Sequence, residues 1–301
     1  MGSGDRRVKI ALLSIVSNTA LIILKIIAGI LSGSISIISE AIHSGMDLIA
    51  SCIAYFSVKK SAKPADKEHP YGHGKIENVS GLAEGLLIFI AAGMIIKEAV
   101  EKIYVPAEIE QAAVAIAVMI IASIINLLVS RKLYKVAKEE DSMALEADAL
   151  HLKTDIYTSF GVAVGLVLIK VTGLHILDPI VAILVALLII KEAWELCINA
   201  LNYLLDTKLT DEEENKIKEI ISKHNVKFKE YHKLKTRKSG NMKHIDFHIT
   251  VNPNLTVEET HEIIGCLKKD MAVEFKYTRV NVHVDPYRGQ EQPEAKGIAN
   301  D

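Results

Sequence analysis

Six apolar segments occupy the first two thirds of the chain, and each is near the ~20 residues needed to cross a bilayer. The chain of 301 residues is 50% hydrophobic but only 5% aromatic, with a mean hydropathy of +0.25. A soluble protein of this length is rarely so apolar. The predicted spans cover residues 8–31, 35–58, 76–103, 109–133, 144–171 and 176–205. We therefore predict an α-helical membrane protein with six transmembrane helices.

Lysine and arginine are shared unequally among the connections between these segments. They are concentrated before the first segment and in the second and fourth connections, beginning with Arg6 and Arg7. Positively charged connections stay on the cytoplasmic side of a membrane, so both termini are predicted to be cytoplasmic. Lys25, late in the first segment, is an exception and is predicted to snorkel toward the outer interface.

The composition becomes polar and charged from about Lys208. A helix is predicted to open at Thr210, followed by strands at 228–237 and 243–251, a helix at 256–271 and a strand at 276–284. This order predicts a small α+β unit. The predicted domains are residues 1–207 in the membrane, residues 208–288 in the cytosol and a disordered tail at 289–301.

One polar unit occurs twice within the apolar segments. Residues 40–47 and 148–155 both read acid-Ala-aliphatic-His-x-x-x-Asp. Residues four apart lie on one helix face, so each copy aims an imidazole and a carboxylate at one place. Two such helices would supply a tetrahedral Zn²⁺ shell, and the four predicted ligands are His43, Asp47, His151 and Asp155. Glu40 and Asp148, one turn before each histidine, could orient the imidazoles or accept protons, and the sequence favours neither.

The connection between the second and third segments holds a second group of possible ligands. Asp66, His69 and His73 lie within eight residues, with Pro70 between the two histidines and a glycine on each side of His73. The alternative is an ordinary polar loop. The density of histidine favours a three-ligand zinc site.

The polar C-terminal unit carries a third group. His244, Asp246 and His248 alternate along one predicted strand, and His283 and Asp285 alternate along another. Any one of these histidines could simply be solvated. As a group on adjacent strands, they predict metal binding.

These motifs together resemble those of the cation diffusion facilitator family over nearly the whole chain. The resemblance includes both His-x-x-x-Asp units and the loop Asp-x-x-His-Pro-Tyr-Gly-His-Gly-Lys-x-Glu at 66–77. It also includes Leu177-Asp178-Pro179 and the segment Tyr-His-x-Leu-x-Thr-Arg at 231–237.

The resemblance implies a homodimer with a metallochaperone-like, ferredoxin-like cytosolic domain. It implies that the transported metal binds His43, Asp47, His151 and Asp155, and that Asp66, His69 and His73 form a loop site. It also implies a paired-metal site in the cytosolic domain made by His232, His248, His261, His283 and Asp285. Lys75 and Asp206 match a charge pair that joins the protomers. Many bacterial relatives carry Asp where this chain has His43, a difference that bears on metal selectivity.

The predicted function is proton-coupled export of Zn²⁺ from the cytosol across the inner membrane by alternating access. Two imidazoles suit zinc better than Mg²⁺, Ca²⁺ or Mn²⁺, which prefer oxygen ligands. The alternative is export of Fe²⁺, Mn²⁺, Co²⁺ or Cd²⁺ on the same fold.

Two other classes are more remote. An intramembrane zinc enzyme would carry His-Glu-x-x-His beside an open metal position, and this sequence lacks that motif; we predict no enzyme activity. A passive channel would move metal without protons. The expected partners are the second protomer, the divalent metal, the proton and membrane lipid, and the net charge of −2 argues against nucleic acid.

Overall fold

A computed structural model describes residues 3–32, 35–104, 113–174 and 176–288. The chain divides into two units, Met1–Leu205 and Asp206–Asp301. The first unit contains α1 (Ser3–Ser32), α2 (Ile35–Ser61), α3 (Ile76–Tyr104), α4 (Ala113–Glu140), α5 (Met143–Thr172) and α6 (Leu177–Leu204). The second contains α7 (Asp211–Lys223), β1 (Glu230–Ser239), β2 (Met242–Val251), α8 (Val257–Glu274) and β3 (Thr278–Pro286). The predicted tail at 289–301 lies outside the described residues.

The helices of the first unit are all long enough to cross a bilayer. They contain 27 to 30 residues, which corresponds to about 40 Å or more at ~1.5 Å per residue. By length and hydropathy alone, the described parts of three qualify as spans: Arg6–Leu31, Ile76–Tyr104 and Ala117–Glu140. Helices α2 and α5 carry the repeated polar unit.

Helix α4 extends seven residues beyond the predicted end at residue 133. Its last two turns are polar, so hydropathy alone marked an earlier end. An ion pair four residues apart, between Lys135 and Glu139, lies along this extension. Such pairs favour a helix without contributing to its hydropathy.

Helix α5 lies between two clusters of buried apolar side chains. Leu145 and Leu152 pack with residues of α1, α2 and α4, whereas Ala147 packs with Ile88 of α3 and Ile189 of α6. The second copy of the repeated unit is therefore held inside the protein. Close packing of α3 against α6 depends on small residues, because a Cβ at Gly85 would lie 2.4 Å from the Cys197 sulfur.

A buried ion pair joins the ends of four segments of the first unit. Arg7 of α1 is 5% exposed, and its guanidinium donates to Glu77 at the start of α3, with 2.5 Å between Nη1 and Oε1. The hydroxyls of Ser61, at the end of α2, and Ser142, before α5, also donate to this carboxylate. Arg7, one of the charges that predicted a cytoplasmic N-terminus, is thus an interior residue with a specific partner.

The prediction that Lys25 snorkels outward was wrong. Lys25 is 6% exposed, and its ammonium group donates to the Ser44 hydroxyl with an Nζ–Oγ distance of 2.6 Å. A hydroxyl on the neighbouring helix α2 was within reach, so the side chain turns into the protein. This places a cation one turn from Asp47 along α2.

The second unit is a three-stranded sheet covered on one face by two helices. The strand order is β1-β2-β3, with β1 and β2 antiparallel and β2 and β3 parallel. Helix α8 makes the crossover between the parallel strands. Ile245, Phe247 and Ile249 of β2 join the core formed with α7 and α8. Because side chains alternate along a strand, His244, Asp246 and His248 face away from the helices.

Both helices of this unit start where the sequence predicted, next to their acidic first turns. Each has a capping box, in which a threonine accepts from a backbone amide three residues later and a glutamate returns the bond. The pairs are Thr210 with Glu213 and Thr256 with Glu259. The predicted architecture, a helical membrane unit followed by a small α-β-β-α-β unit, is confirmed.

Candidate metal sites

The two copies of the repeated unit meet between α2 and α5. A nitrogen of the His151 ring, Nε2, lies 3.2 Å from Oδ1 of Asp47. His151 is 7% exposed and Asp47 is 6% exposed, so the contact is buried. Residues 104 positions apart in sequence therefore share one location. The other ring nitrogen of His151, Nδ1, is buried with no hydrogen-bond partner in the described chain.

The other two predicted ligands belong to the same helices. Asp155 lies one turn after His151 on α5 and accepts a hydrogen bond from Asn126 of α4, at 3.2 Å between Nδ2 and Oδ2. This bond fixes the orientation of the Asp155 carboxylate. His43 lies one turn before Asp47 on α2, and its side chain lies outside the part of the chain that the structure describes.

Neutral polar groups support the Asp47 end of this arrangement. Asn18 of α1 donates both to the backbone carbonyl of Asp47, at 3.3 Å, and to the hydroxyl of Ser51, at 2.7 Å. Ser51 in turn donates to Asp148 at 2.9 Å. This network was not predicted, because single Asn and Ser residues in apolar helices are common and carry no periodic signal. Of the two acids that precede the histidines by one turn, Asp148 accepts a hydrogen bond from a serine of α2. The side chain of the other, Glu40, lies outside the described residues.

The loop between α2 and α3 brings its three predicted ligands together. Each of Asp66, His69 and His73 offers a ligand atom within 4.8 Å of the others. His69 Nδ1 is 3.3 Å from one Asp66 oxygen, and His73 Nε2 is 3.4 Å from the other. Gly72, with φ of 86°, makes the turn that returns the chain between the two histidines. This arrangement can hold a small divalent cation with one side open.

The Asp66 carboxylate of this loop group is held in its charged form by its neighbours. The backbone amide of His69 donates to Asp66 at 2.7 Å. This bond lowers the pKa of Asp66, against the effect of burial, and the His69 and His73 side chains lower it further. The lowered pKa keeps Asp66 ionised, as a metal ligand must be.

A β-bulge determines which face of the sheet His232 occupies. His232 lies opposite His248, yet Lys235, three residues later, lies opposite Asp246, two residues away on β2. The bulge therefore lies between His232 and Lys235, and it contains Lys233, whose φ is 53°. Without the bulge, strict alternation would put His232 and Lys235 on opposite faces. The bulge therefore turns His232 toward the face that carries His248.

Four of the predicted ligands of the second unit meet on this open face. His248 Nδ1 and His232 Nε2 lie 2.9 and 3.2 Å from the same Asp285 oxygen. His283 Nε2 lies 3.4 Å from the other oxygen. His232, His248 and Asp285 satisfy the spacing of a metal site, with ligand atoms within 4.8 Å. Burial acts to raise the pKa of Asp285, but the bond with His248 and the three histidines outweigh it, so the pKa is lowered.

Other histidines of this unit are placed elsewhere. His261 is exposed near the start of α8, on the helix layer, and within one described chain it does not join the group around Asp285. His224 pairs with Asp270 at 2.8 Å. His244 lies between Arg237 and Arg279 on the neighbouring strands. Burial, together with these two cations, lowers the pKa of His244, which favours a neutral ring distant from the metal group.

Lys75 and Asp206 each have a partner within their own unit. Lys75 Nζ donates to the backbone carbonyl of Leu204 at 3.2 Å. Asp206 accepts from Arg237, at 3.3 Å between Oδ1 and Nη1. The charge pair between protomers stays a prediction.

Both units match known families. Residues 11–205 match the model of the cation efflux transmembrane domain, and residues 209–287 match that of the cation efflux protein cytoplasmic domain, a dimerisation domain. The second match indicates that the chain forms homodimers.

Relatives cover the chain almost from end to end. An uncharacterised transporter of Methanocaldococcus jannaschii is 36% identical, over 91% of this chain and 96% of its own. An uncharacterised transporter of Synechocystis is 34% identical, over 92% and 89%. The cation-efflux pump FieF of Shewanella oneidensis is 30% identical, over 91% and 92%. The chain therefore belongs to the cation efflux, or cation diffusion facilitator, family, whose members are membrane transporters of divalent metals and not enzymes.

Proposed function

We propose that this protein exports Zn²⁺ from the cytosol in exchange for protons, at a site shared by α2 and α5. The observation that carries the proposal is the buried contact between Asp47 and His151. Ionisable groups inside a membrane domain are costly unless they pair or coordinate, so they mark transport pathways. In this proposal His43, Asp47, His151 and Asp155 bind the transported ion, and alternating access exposes them to each side of the membrane in turn.

The choice of zinc rests on the donor set. Two imidazole nitrogens and two carboxylate oxygens match the four-coordinate preference of Zn²⁺. Ions such as Mn²⁺ favour a larger number of oxygen ligands. Fe²⁺, Co²⁺ and Cd²⁺ share the nitrogen and oxygen donors, and they are the alternatives that transport assays must separate from zinc.

The exchange with protons rests on imidazole chemistry. A histidine binds metal only in its neutral form, so metal entry releases any proton that the ring holds. Imidazole titrates near neutral pH. Protons arriving from the outer side can therefore displace the metal from His151, and the reverse exchange occurs when the site faces the cytosol.

We further propose that the remaining metal groups bind zinc on the cytoplasmic side. Asp66, His69 and His73 would hold one ion in the loop, and His232, His248, His283 and Asp285 would hold zinc in the cytosolic unit, with His261 contributing from a place outside this cluster. In this proposal residues 1–207 transport the metal, and residues 208–288 bind it and support the dimer. Both termini are cytoplasmic and the protein lies in the inner membrane, a topology that the distribution of Lys and Arg supports.

Selectivity is tested by uptake into proteoliposomes with Zn²⁺, Cd²⁺, Fe²⁺, Co²⁺ and Mn²⁺ supplied one at a time. We expect zinc to be transported fastest and Mn²⁺ slowest. His43→Asp replaces one nitrogen donor by oxygen, and we expect it to raise the rate for Cd²⁺ relative to Zn²⁺.

The matched control is His224→Ala, which removes a histidine that pairs with Asp270 outside the proposed sites. It should leave the order of the metals as in the wild type. A metal profile that His43→Asp does not change would contradict the assignment of His43 as a ligand.

Zinc in the cytosolic unit is expected to tighten the dimer. The test uses dyes on Cys266 of the full-length protein, after Cys52 and Cys197 are replaced by alanine, and follows energy transfer between the two protomers. Asp285→Asn removes the carboxylate that three histidines contact, so the zinc-dependent change in transfer should be lost. Asp246→Asn, on the same sheet face, should retain it. Zinc-dependent tightening that survives Asp285→Asn would show that this group does not regulate the dimer.

A further inference from the structure

A glutamate of α3 is buried in the membrane unit and forms no salt bridge with any residue that the structure describes. Glu84 is 0% exposed. The hydroxyl of Ser80, one turn earlier, donates to its Oε1 at 3.0 Å. Its Oε2 is buried and has no hydrogen-bond partner in the described chain.

Asp148, on the neighbouring helix α5, is in the same situation. It is also 0% exposed, with Oδ1 accepting from Ser51 at 2.9 Å, and its Oδ2 is buried with no hydrogen-bond partner among the described residues. Ser51 belongs to a chain of neutral groups that includes Ser14, at 2.9 Å, and Asn18. These neutral donors are too few to replace the hydration of a carboxylate.

Among the described residues, no lysine or arginine forms a salt bridge with either carboxyl. Asp148 is the charged neighbour that acts on Glu84, and it repels a second negative charge there. The charged groups that act on Asp148 are His151 and Asp47. From α6, Cys197 and Ala193 lie against Gly85, next to Glu84. Burial and a like charge nearby both disfavour the ionised form, so these surroundings favour a proton on one of the two carboxyls.

We propose that Glu84 and Asp148 together hold one exchangeable proton, which makes them a proton-binding site separate from the metal ligands. This inference rests on the proposed exchange of metal for protons. Metal arriving beside His151, one turn from Asp148, brings positive charge that favours the ionised carboxylate. The O–H bond then breaks, its electron pair stays on the carboxylate and the proton goes to water. When the metal leaves, the pair regains a proton.

The test measures zinc and proton fluxes together in proteoliposomes that hold the full-length protein. Glu84→Gln keeps the shape and the Ser80 contact but cannot release the proton. We expect it to lower the number of protons moved per zinc ion by about one, with zinc affinity unchanged because no metal ligand is altered. Glu101→Gln is the matched control, since Glu101 is an exposed residue of the same helix, and it should keep the wild-type ratio.

The outcomes separate this inference from the proposed function. A wild-type protein that moves zinc without protons would overturn the proton exchange itself. A wild-type protein that couples the two, together with an unchanged ratio in Glu84→Gln, would overturn only the role of the carboxyl pair. If Glu84→Gln does not fold, infrared spectra of the wild type decide. A protonated carboxylic acid band should be present at neutral pH, shift in Ser80→Ala and fall when zinc is added. A missing band would overturn the inference.

Discussion

Replacing His151 by alanine is expected to lower zinc transport by about 100-fold or more, since even changes beyond the ligands of a metal site can cost 10–100-fold in affinity. The ring supplies a nitrogen donor that contacts Asp47 at the meeting point of α2 and α5. Without it, the site keeps a single histidine, His43, and a surplus of negative charge. The measurement is the initial rate of zinc uptake into proteoliposomes, with correct assembly checked by size-exclusion chromatography in detergent.

His224→Ala is the control, because it removes a histidine of the cytosolic unit that pairs with Asp270. It should transport zinc at nearly the wild-type rate. A correctly assembled His151→Ala protein with a wild-type rate would show that the metal crosses by another route. Loss of assembly would be resolved with His151→Gln, which preserves a polar side chain of similar length.

Replacing Glu77 by glutamine should produce the largest loss of stability of any single carboxylate change. The change leaves the buried Arg7 guanidinium without its charged partner, and removal of one partner of a buried ion pair costs about 3–5 kcal/mol. The serine hydroxyls of Ser61 and Ser142 would lose a charged acceptor as well. Thermal unfolding in detergent, followed by fluorescence, measures the effect as a lowered midpoint.

Two variants make this prediction specific to the buried pair. Glu101→Gln breaks an exposed pair with Lys97, and exposed pairs contribute only about 0–1 kcal/mol. The double change Arg7→Met with Glu77→Leu removes both charges and should recover most of the stability, as apolar replacements of buried pairs do. A midpoint for Glu77→Gln equal to that of Glu101→Gln would contradict the structural role of this pair.

Periodicity and hydropathy predicted the architecture well. The six apolar segments became α1 to α6, and the alternation of apolar and polar residues located β1, β2 and β3 within a few residues. These signals are local, so one sequence carries them in full. The end of α4 was misplaced because its last turns are polar.

Features that depend on contacts between residues far apart in the sequence were harder to predict. Lys25 was expected at the outer interface, and only the position of Ser44 shows that it turns inward. Arg7 was counted only among the charges of the cytoplasmic side, and its buried pairing with Glu77 of a distant segment was not predicted. The bulge that aims His232 toward His248 leaves no clear sequence signal. The repeated unit was the exception, because two copies of one pattern imply a shared location before any contact is known.

The position of Glu84 illustrates the same limit. A single glutamate in an apolar segment reads as an impurity, and its neighbour Asp148 is 64 positions away in the sequence. The helix packing supplies what the sequence lacks, since burial without a salt bridge among the described residues is what distinguishes Glu84 from a surface charge.

The central claim is that zinc and protons are exchanged in the same transport cycle. The most direct measurement is zinc movement by the wild-type protein under an imposed pH gradient. Proteoliposomes are loaded with equal zinc on both sides, and a pH difference is the only driving force. The account predicts that zinc accumulates on the more acidic side, and that reversing the pH difference reverses the direction. Zinc that stays at equal concentrations under either gradient would contradict it.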